Sequence, residues 1–309
     1  MIKIDLITGF LGAGKTTFIK KYAEYMIRQG MNIGILENDY GAVNVDMMLL
    51  QDLEGEQCEL EMVAGGCHRD CHRRRFKSKL IAMGMSGYDR VLVEPSGIYD
   101  VDEFFDVLQE EPLDQWYEIG NVIAIVDAKL ESDLSAEVDY LLASEVANAG
   151  CVVMSKSQEA TAEEIRETIA HLNRALEAVK CERRFWDGQD APVDVAAICP
   201  TRGELNSALI GANRISTGCS AIQRNAPVIH RDWANFGGAD FERIASCGYV
   251  TESYHKMSED EEGFQSVYFM NVRMSGQELS EAASAILADT ACGNVIRIQG
   301  VLRMHETRE

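Results

Sequence analysis

No run of ~18 or more apolar residues occurs in the 309-residue chain, so no membrane-spanning helix and no membrane partner are expected. Positive charge is scarce: 29 Lys and Arg stand against 50 Asp and Glu, a formal net charge of -21. Such a chain repels phosphate backbones and anionic lipid, which argues against nucleic acid as a partner. The opening residues, Met1-Ile2-Lys3-Ile4-Asp5-Leu6-Ile7, break their apolar run with charges and lack a signal-peptide layout. Nine cysteines, an odd number spread along the chain, do not form a disulfide framework. A reduced, cytoplasmic setting is expected. Internal repeats and low-complexity segments are absent too. What remains is an ordinary globular composition, 46% hydrophobic and 26% charged, long enough for one large or two modest domains.

Apolar strand-like runs alternate with helical patterns through the first two thirds of the chain. Strands are expected at Ile2–Thr8, Ile33–Leu36, Arg90–Glu94, Asn121–Val126, Cys151–Met154 and Val193–Ile198. Helices are expected at Thr17–Gln29 and Thr161–Lys180. Strands separated by helices imply an α/β fold, a mostly parallel sheet covered on both faces. Residues 1–210 are assigned to this unit, and the Gly- and polar-rich stretch 211–245 reads as a surface connector. Residues 246–309 read as a small α+β domain, with strands at Phe264–Met274 and Asn294–Leu302 and a helix at Gly276–Leu287.

Gly9-Phe10-Leu11-Gly12-Ala13-Gly14-Lys15-Thr16 matches the Walker A pattern, follows an expected strand and opens an expected helix. Composition alone would produce such a match in about one chain in a hundred. Glycines let successive N–H groups point at phosphate oxygens, and the helix start adds partial positive charge. Lys15 is the residue to neutralise the β- and γ-phosphates, and Thr16 the hydroxyl ligand to Mg²⁺. The expected cradle is Gly9, Gly12, Ala13, Gly14, Lys15, Thr16 and Thr17.

Hydrolysis needs carboxylates as well. Glu94-Pro95-Ser96-Gly97 ends an apolar strand at the sheet edge where open α/β folds hold ligands. Glu94 is expected to face the Mg²⁺ or its water, and the Gly97 N–H the γ-phosphate. Glu37-Asn38-Asp39-Tyr40-Gly41 ends another strand, and Asp39 is the candidate to position water or metal. Lys15, Asp39 and Glu94 are therefore the expected catalytic set. Asp127 reads equally well as a helix cap and is not counted as catalytic.

Taken in order, these motifs with Gly65-Gly66-Cys67, Val126-Asp127-Ala128, Phe264-Gln265-Ser266-Val267 and Val295-Ile296-Arg297-Ile298-Gln299-Gly300 resemble the CobW-like GTPases. These are P-loop metallochaperones related to the nickel-delivery GTPases of urease and hydrogenase maturation. The resemblance implies GTP hydrolysis coupled to delivery of Zn²⁺ or cobalt to a client metalloprotein or cofactor pathway. It also leaves a homodimer open.

Two departures from the family pattern matter. Where the family shows Gly-Cys-x-Cys-Cys, this chain has Gly66-Cys67-His68-Arg69-Asp70-Cys71-His72, then Arg73-Arg74-Arg75. On a helix Cys67 and Cys71 share one face and His68 and His72 an adjacent one, a thiolate and imidazole set that suits Zn²⁺ or Co²⁺. The alternative is a reactive thiol with surface histidines on a basic, solvated helix. Where the family reads guanine with Asn-Lys-x-Asp, this chain has Ser155-Lys156-Ser157-Gln158. Lys156 can lie along the base, but neutral Gln158 loses a charge-assisted contact worth ~1.5–3 kcal/mol. GTP is therefore expected from the resemblance and not from this loop. A second reading follows from both departures: a nucleotide-gated binding module with little turnover that recruits a corrinoid or metalloprotein client. A small-molecule kinase is disfavoured, since no arginine-rich lid is evident.

Overall fold

The computed structural model describes residues 1–39, 46–64, 69–96, 101–131, 134–186, 225–255, 274–289 and 298. Its strands are β1 (Ile2–Thr8), β2 (Ile33–Asp39), β3 (Cys58–Ala64), β4 (Arg90–Pro95), β5 (Tyr117–Asp127), β6 (Cys151–Ser155), β7 (Arg184–Trp186) and β8 (Asn225–Ile229). Among the described residues they form one sheet of order β3-β2-β4-β1-β5-β6-β8-β7. Every strand pair in it is parallel. The helices are α1 (Lys15–Arg28), α2 (Asp46–Leu50), α3 (Arg69–Gly84), α4 (Val101–Leu108), α5 (Leu113–Trp116), α6 (Ala136–Ala147), α7 (Ala162–Ala178), α8 (Gly238–Ala245) and α9 (Gly276–Ala288).

The strands are apolar on both faces because helices cover both. Ile4, Leu6, Val91, Val93, Val122 and Ala124 pack with Phe76 and Leu80 of α3, Phe104 of α4, Leu142 of α6 and Leu172 of α7. The intervening residues Ile7, Leu92, Ile123 and Ile125 pack with Phe18, Tyr22 and Met26 of α1 and with Phe241 and Ile244 of α8. This alternation is the period of a strand with each side buried.

β1, β4 and β6 lie where their apolar runs placed them, within one residue at each end. β2 and β5 run further than their apolar cores suggested. β3 escaped notice because Glu59 and Glu61 interrupt its hydrophobicity. It is an edge strand, where charge guards against pairing with other chains. Residues 225–245, read as surface connector, instead carry β8, parallel to β6 through Val152↔Val228, and α8, whose Phe241 stacks on Tyr22 and Tyr25 of α1. Spaced glycines concealed both elements. The strand expected at 193–198 lies outside the described residues, as do 264–273 and nearly all of 294–302. Of the expected C-terminal domain, α9 is described, capped by Ser275 and Glu278.

A buried polar knot ties the sheet together at the end remote from the phosphate loop. Asp5 is fully buried and accepts from Arg90 Nη1 at 2.7 Å, Tyr22 Oη at 3.1 Å and the Asn121 amide N–H at 2.9 Å. Burial pushes the Asp5 carboxyl up, against the pull of the Arg90 charge. The register slip of β1 on β5 between Ile4 and Leu6 accompanies this arrangement.

Candidate active site

The loop after β1 turns tightly. Gly9, Gly12 and Gly14 all have positive φ, at 143, 77 and 96°. A Cβ on Gly9 would come within 2.2 Å of the Ile125 carbonyl oxygen on β5, so only glycine fits there. Gly14 is the N-cap of α1, which has neither a side-chain cap nor an acidic residue in its first turn. By contrast α6 and α7 are capped by Ser135 and Thr161 and have acidic first turns. The α1 start thus keeps its positive end and its N–H groups turned toward the loop, the arrangement that receives phosphate.

Lys15 is buried and donates from Nζ to the Gly9 carbonyl at 2.7 Å, holding its charge over the loop. Thr16 donates from Oγ1 to Glu94 Oε1 at 2.8 Å. These residues are 78 positions apart in sequence and are joined because β4 is the parallel neighbour of β1. A hydroxyl and a carboxylate, both hard oxygen donors beside a phosphate loop, fit Mg²⁺.

Glu37 was overlooked by sequence reasoning. It is the register partner of Glu94 across β2 and β4, and it is 2% exposed. Strand alternation puts it on the α1 face with Glu94, so two buried carboxyl groups sit side by side next to Thr16. The signal was present, since Glu37 opens the same strand-ending motif as Asp39. Asp39 itself ends β2 opposite Ala64 of β3. Gly97 lies outside the described residues.

On the other flank, Lys156 has a left-handed φ of 54° and forms an ion pair with Asp127 at the end of β5. Asp127 also accepts from the Lys129 N–H at 2.9 Å, closing a local turn; it caps no helix, because the next one, α6, starts at Ala136 with Ser135 as its cap. Trp233, which sequence reasoning missed, comes off the end of β8. Its ring would be 3.5 Å from a Cβ on Gly14, as would Ser155, and it makes an edge contact with Phe18. The Gln158 amide donates to Glu159 at 3.4 Å.

The thiol and imidazole motif is divided. Cys67 and His68 lie outside the described residues. Cys71 and His72 are consecutive on α3, Cys71 partly exposed and His72 fully buried. His72 is thus a core-facing side chain rather than a surface histidine. Among the described residues no group of three or more His, Cys, Asp or Glu could hold a metal ion. Also among them, no helix is long and apolar enough to cross a membrane.

Comparison with known proteins matches residues 3–186 to the nucleotide-binding domain described as CobW/HypB/UreG. The chain is 30% identical over 183 residues to the zinc chaperone YjiA of Escherichia coli (strain K12), covering 56% of this chain and 55% of YjiA. It is 29% identical over 164 residues to the zinc chaperone YeiR of the same organism, covering 53% and 49%. The zinc-regulated GTPase metalloprotein activator 1 of Schizosaccharomyces pombe is 22% identical over 183 residues, covering 56% and 44%. The chain thus spans about half the length of the curated relatives it matches. Among solved structures, the Zn(II)-bound YjiA GTPase from E. coli overlaps with a TM-score of 0.35 and 20% identity, over 57% of this chain and 54% of that one.

Proposed function

The chain belongs to the CobW/HypB/UreG family through its nucleotide-binding domain, and from that premise we propose that it binds a nucleoside triphosphate with Mg²⁺ and hydrolyses it in step with handling a transition metal for a client protein or cofactor pathway. The bond from Thr16 to Glu94, set in a glycine nest under Lys15, carries this reading. Mg²⁺, when bound, would neutralise charge on the β- and γ-phosphates. The chain's own part is positional. Lys15 can exchange the Gly9 carbonyl for phosphate oxygens, Thr16 and Glu94 offer oxygen ligands, and Glu37 or Asp39 can orient the attacking water.

The register supports a link between nucleotide and metal. Asn38 pairs with Pro95 and Asp39 with Ala64, so β4, β2 and β3 end side by side. Cys67 stands three residues beyond Ala64. A change in γ-phosphate contacts therefore has a short route to the thiol segment, as in other switches ordered by phosphate. Zinc is the favoured cargo over cobalt, because YjiA and YeiR are named zinc chaperones. Cys67 and Cys71 are its proposed thiolate ligands, with His68 as a further candidate.

GTP is the nucleotide its relatives suggest, and the base contact is weak. Guanine offers adjacent N–H donors at N1 and the 2-amino group, which a carboxylate accepts together. The Gln158 carboxamide has one acceptor oxygen and turns its own donors toward the second. The second reading, a binding module with little turnover, draws on this residue and on the altered cysteine motif.

Calorimetry with GTP and ATP, with and without Zn²⁺, together with phosphate release, tests the proposal. Lys15→Ala should weaken triphosphate binding about 10- to 150-fold, the worth of a charge-assisted contact of ~1.5–3 kcal/mol. Unchanged binding and turnover in that variant would refute the site. Tight binding without phosphate release by the wild type would favour the second reading.

A further inference from the structure

Cys151 opens β6 and is 1% exposed, whereas Cys247, in the turn after α8, is only partly buried. Both belong to the apolar layer between the sheet and α1, and the antiparallel bridge Ala149↔Tyr249, carried two residues further, sets Cys151 opposite Cys247. The backbones touch as well. A Cβ on Gly150 would lie 2.6 Å from the Cys247 carbonyl oxygen and 2.1 Å from that of Gly248. The Val122 N–H donates to Gly248 at 3.0 Å and the Gly150 N–H to Val122 at 2.7 Å, which locks the two segments in register. Both cysteines are free thiols. Nothing in the proposed nucleotide or metal chemistry uses them.

We propose that Cys151 and Cys247 are a disulfide-forming pair, closed reversibly by a peroxide-class oxidant, that staples the segment after β8 to the end of the sheet remote from the phosphate loop. Cys247, the more accessible of the two, reacts first, and slowly, because neighbouring Cys151 and burial push its thiol up and keep it protonated: its thiol and the peroxide give a sulfenic acid and water. The Cys151 sulfur then attacks that sulfur, forming the S–S bond and releasing a second water. The two thiols together lose two electrons and the peroxide gains them. A dithiol reverses the step by exchange.

The consequence lies in what the segment carries. Between β8 and Cys247 stand Trp233, against Gly14 and Phe18, and Phe241, stacked on Tyr22 and Tyr25. These residues form one flank of the phosphate loop and its helix. A covalent tie at Cys247 restrains the flank at its far end and leaves the loop glycines untouched. Asn121 accepts from the Cys247 thiol at 3.7 Å and keeps the Gly248 N–H at 2.8 Å, so oxidation leaves its carbonyl satisfied.

The test oxidises the native full-length chain with hydrogen peroxide, blocks remaining thiols by alkylation and maps disulfides by peptide mass spectrometry. The expected result is a peptide linking Cys151 to Cys247, lost on treatment with dithiothreitol, and a melting temperature that rises on oxidation. Cys58 lies on β3 at the opposite edge of the sheet and should remain alkylated as an internal control. Cys247→Ala, at the less buried position, should abolish both the linked peptide and the rise. Recovery of both cysteines as free thiols, or their linkage to other cysteines, overturns the proposal. A bond that forms without raising the melting temperature overturns the staple. The wild-type map decides the pairing even if a variant folds poorly.

Discussion

Glu145 offers a sharp test of how the helical layer meets the phosphate loop. It lies on α6, 1% exposed, and among the described residues neither carboxyl oxygen has a hydrogen-bond partner. Burial pushes its pKa up to about 8, while the Lys15 charge pulls the other way without prevailing. The folded chain therefore keeps a proton that the unfolded chain releases near the ordinary carboxylate value of ~4.3. Between those values the folded state binds more protons, so stability falls as pH rises. It is fully present below ~4.3 and lost on passing through 8. Each pH unit in the window removes about 1.36 kcal/mol, on the order of 4–5 kcal/mol in all. Glu145→Gln cannot ionise and should be free of this loss. Urea unfolding of both proteins at intervals from pH 5 to pH 9, without nucleotide, isolates the residue, because the other carboxylates are common to both. The variant's advantage should widen by ~1 kcal/mol or more per pH unit and level off above about pH 8. Parallel curves would show that Glu145 finds solvent or a partner, and the argument from burial would fail.

Two further changes probe the sheet and the base contact. Asp5→Asn removes the charge that faces buried Arg90 and should cost about 3–5 kcal/mol, read as a lower denaturant midpoint with little change in nucleotide affinity for the folded fraction. A loss under ~1 kcal/mol would mean that Arg90 is not held by this pair. Gln158→Asp restores a carboxylate in the base loop and should raise GTP affinity about tenfold or more, leaving ATP unchanged. Equal gains for both nucleotides, or none, would show that Gln158 does not meet the base edge.

Much of the site was legible because its chemistry is local in sequence. A phosphate nest needs consecutive glycines before a lysine, and residues 9–16 supply them in one stretch. Glu94 was legible for a related reason: it ends an apolar strand, and strand ends meet at one edge of a parallel sheet. Glu37 required register, since only pairing with Glu94 of β4 shows that it stands beside the carboxylate that binds Thr16. Trp233 required topology. It is 219 positions beyond Gly14 and reaches the loop only because β8 returns beside β6. The edge strand β3 was hidden by its own protective charges, and the Asp5 knot by the fact that four separate elements contribute to it.

The sheet order assigns different tasks to the two sides of β1. On one side β4, β2 and β3 follow in turn, bringing Glu94, Glu37 and Asp39 and then the exit toward Cys67. On the other stand β5, β6 and β8, with the Asp127–Lys156 pair and Trp233. A ligand spanning the loop would place its hydrolysable end among carboxylates and its opposite end against the ion pair and the indole. The acidic side is also the side from which the thiol segment departs. In the proposed reading a signal from hydrolysis to cargo crosses adjacent strand ends, while the base is read on the opposite flank of β1. The proposed Cys151–Cys247 tie belongs to that second flank. Oxidation should thus alter nucleotide affinity more than Zn²⁺ affinity, and the reverse order would show that the two flanks do not act separately.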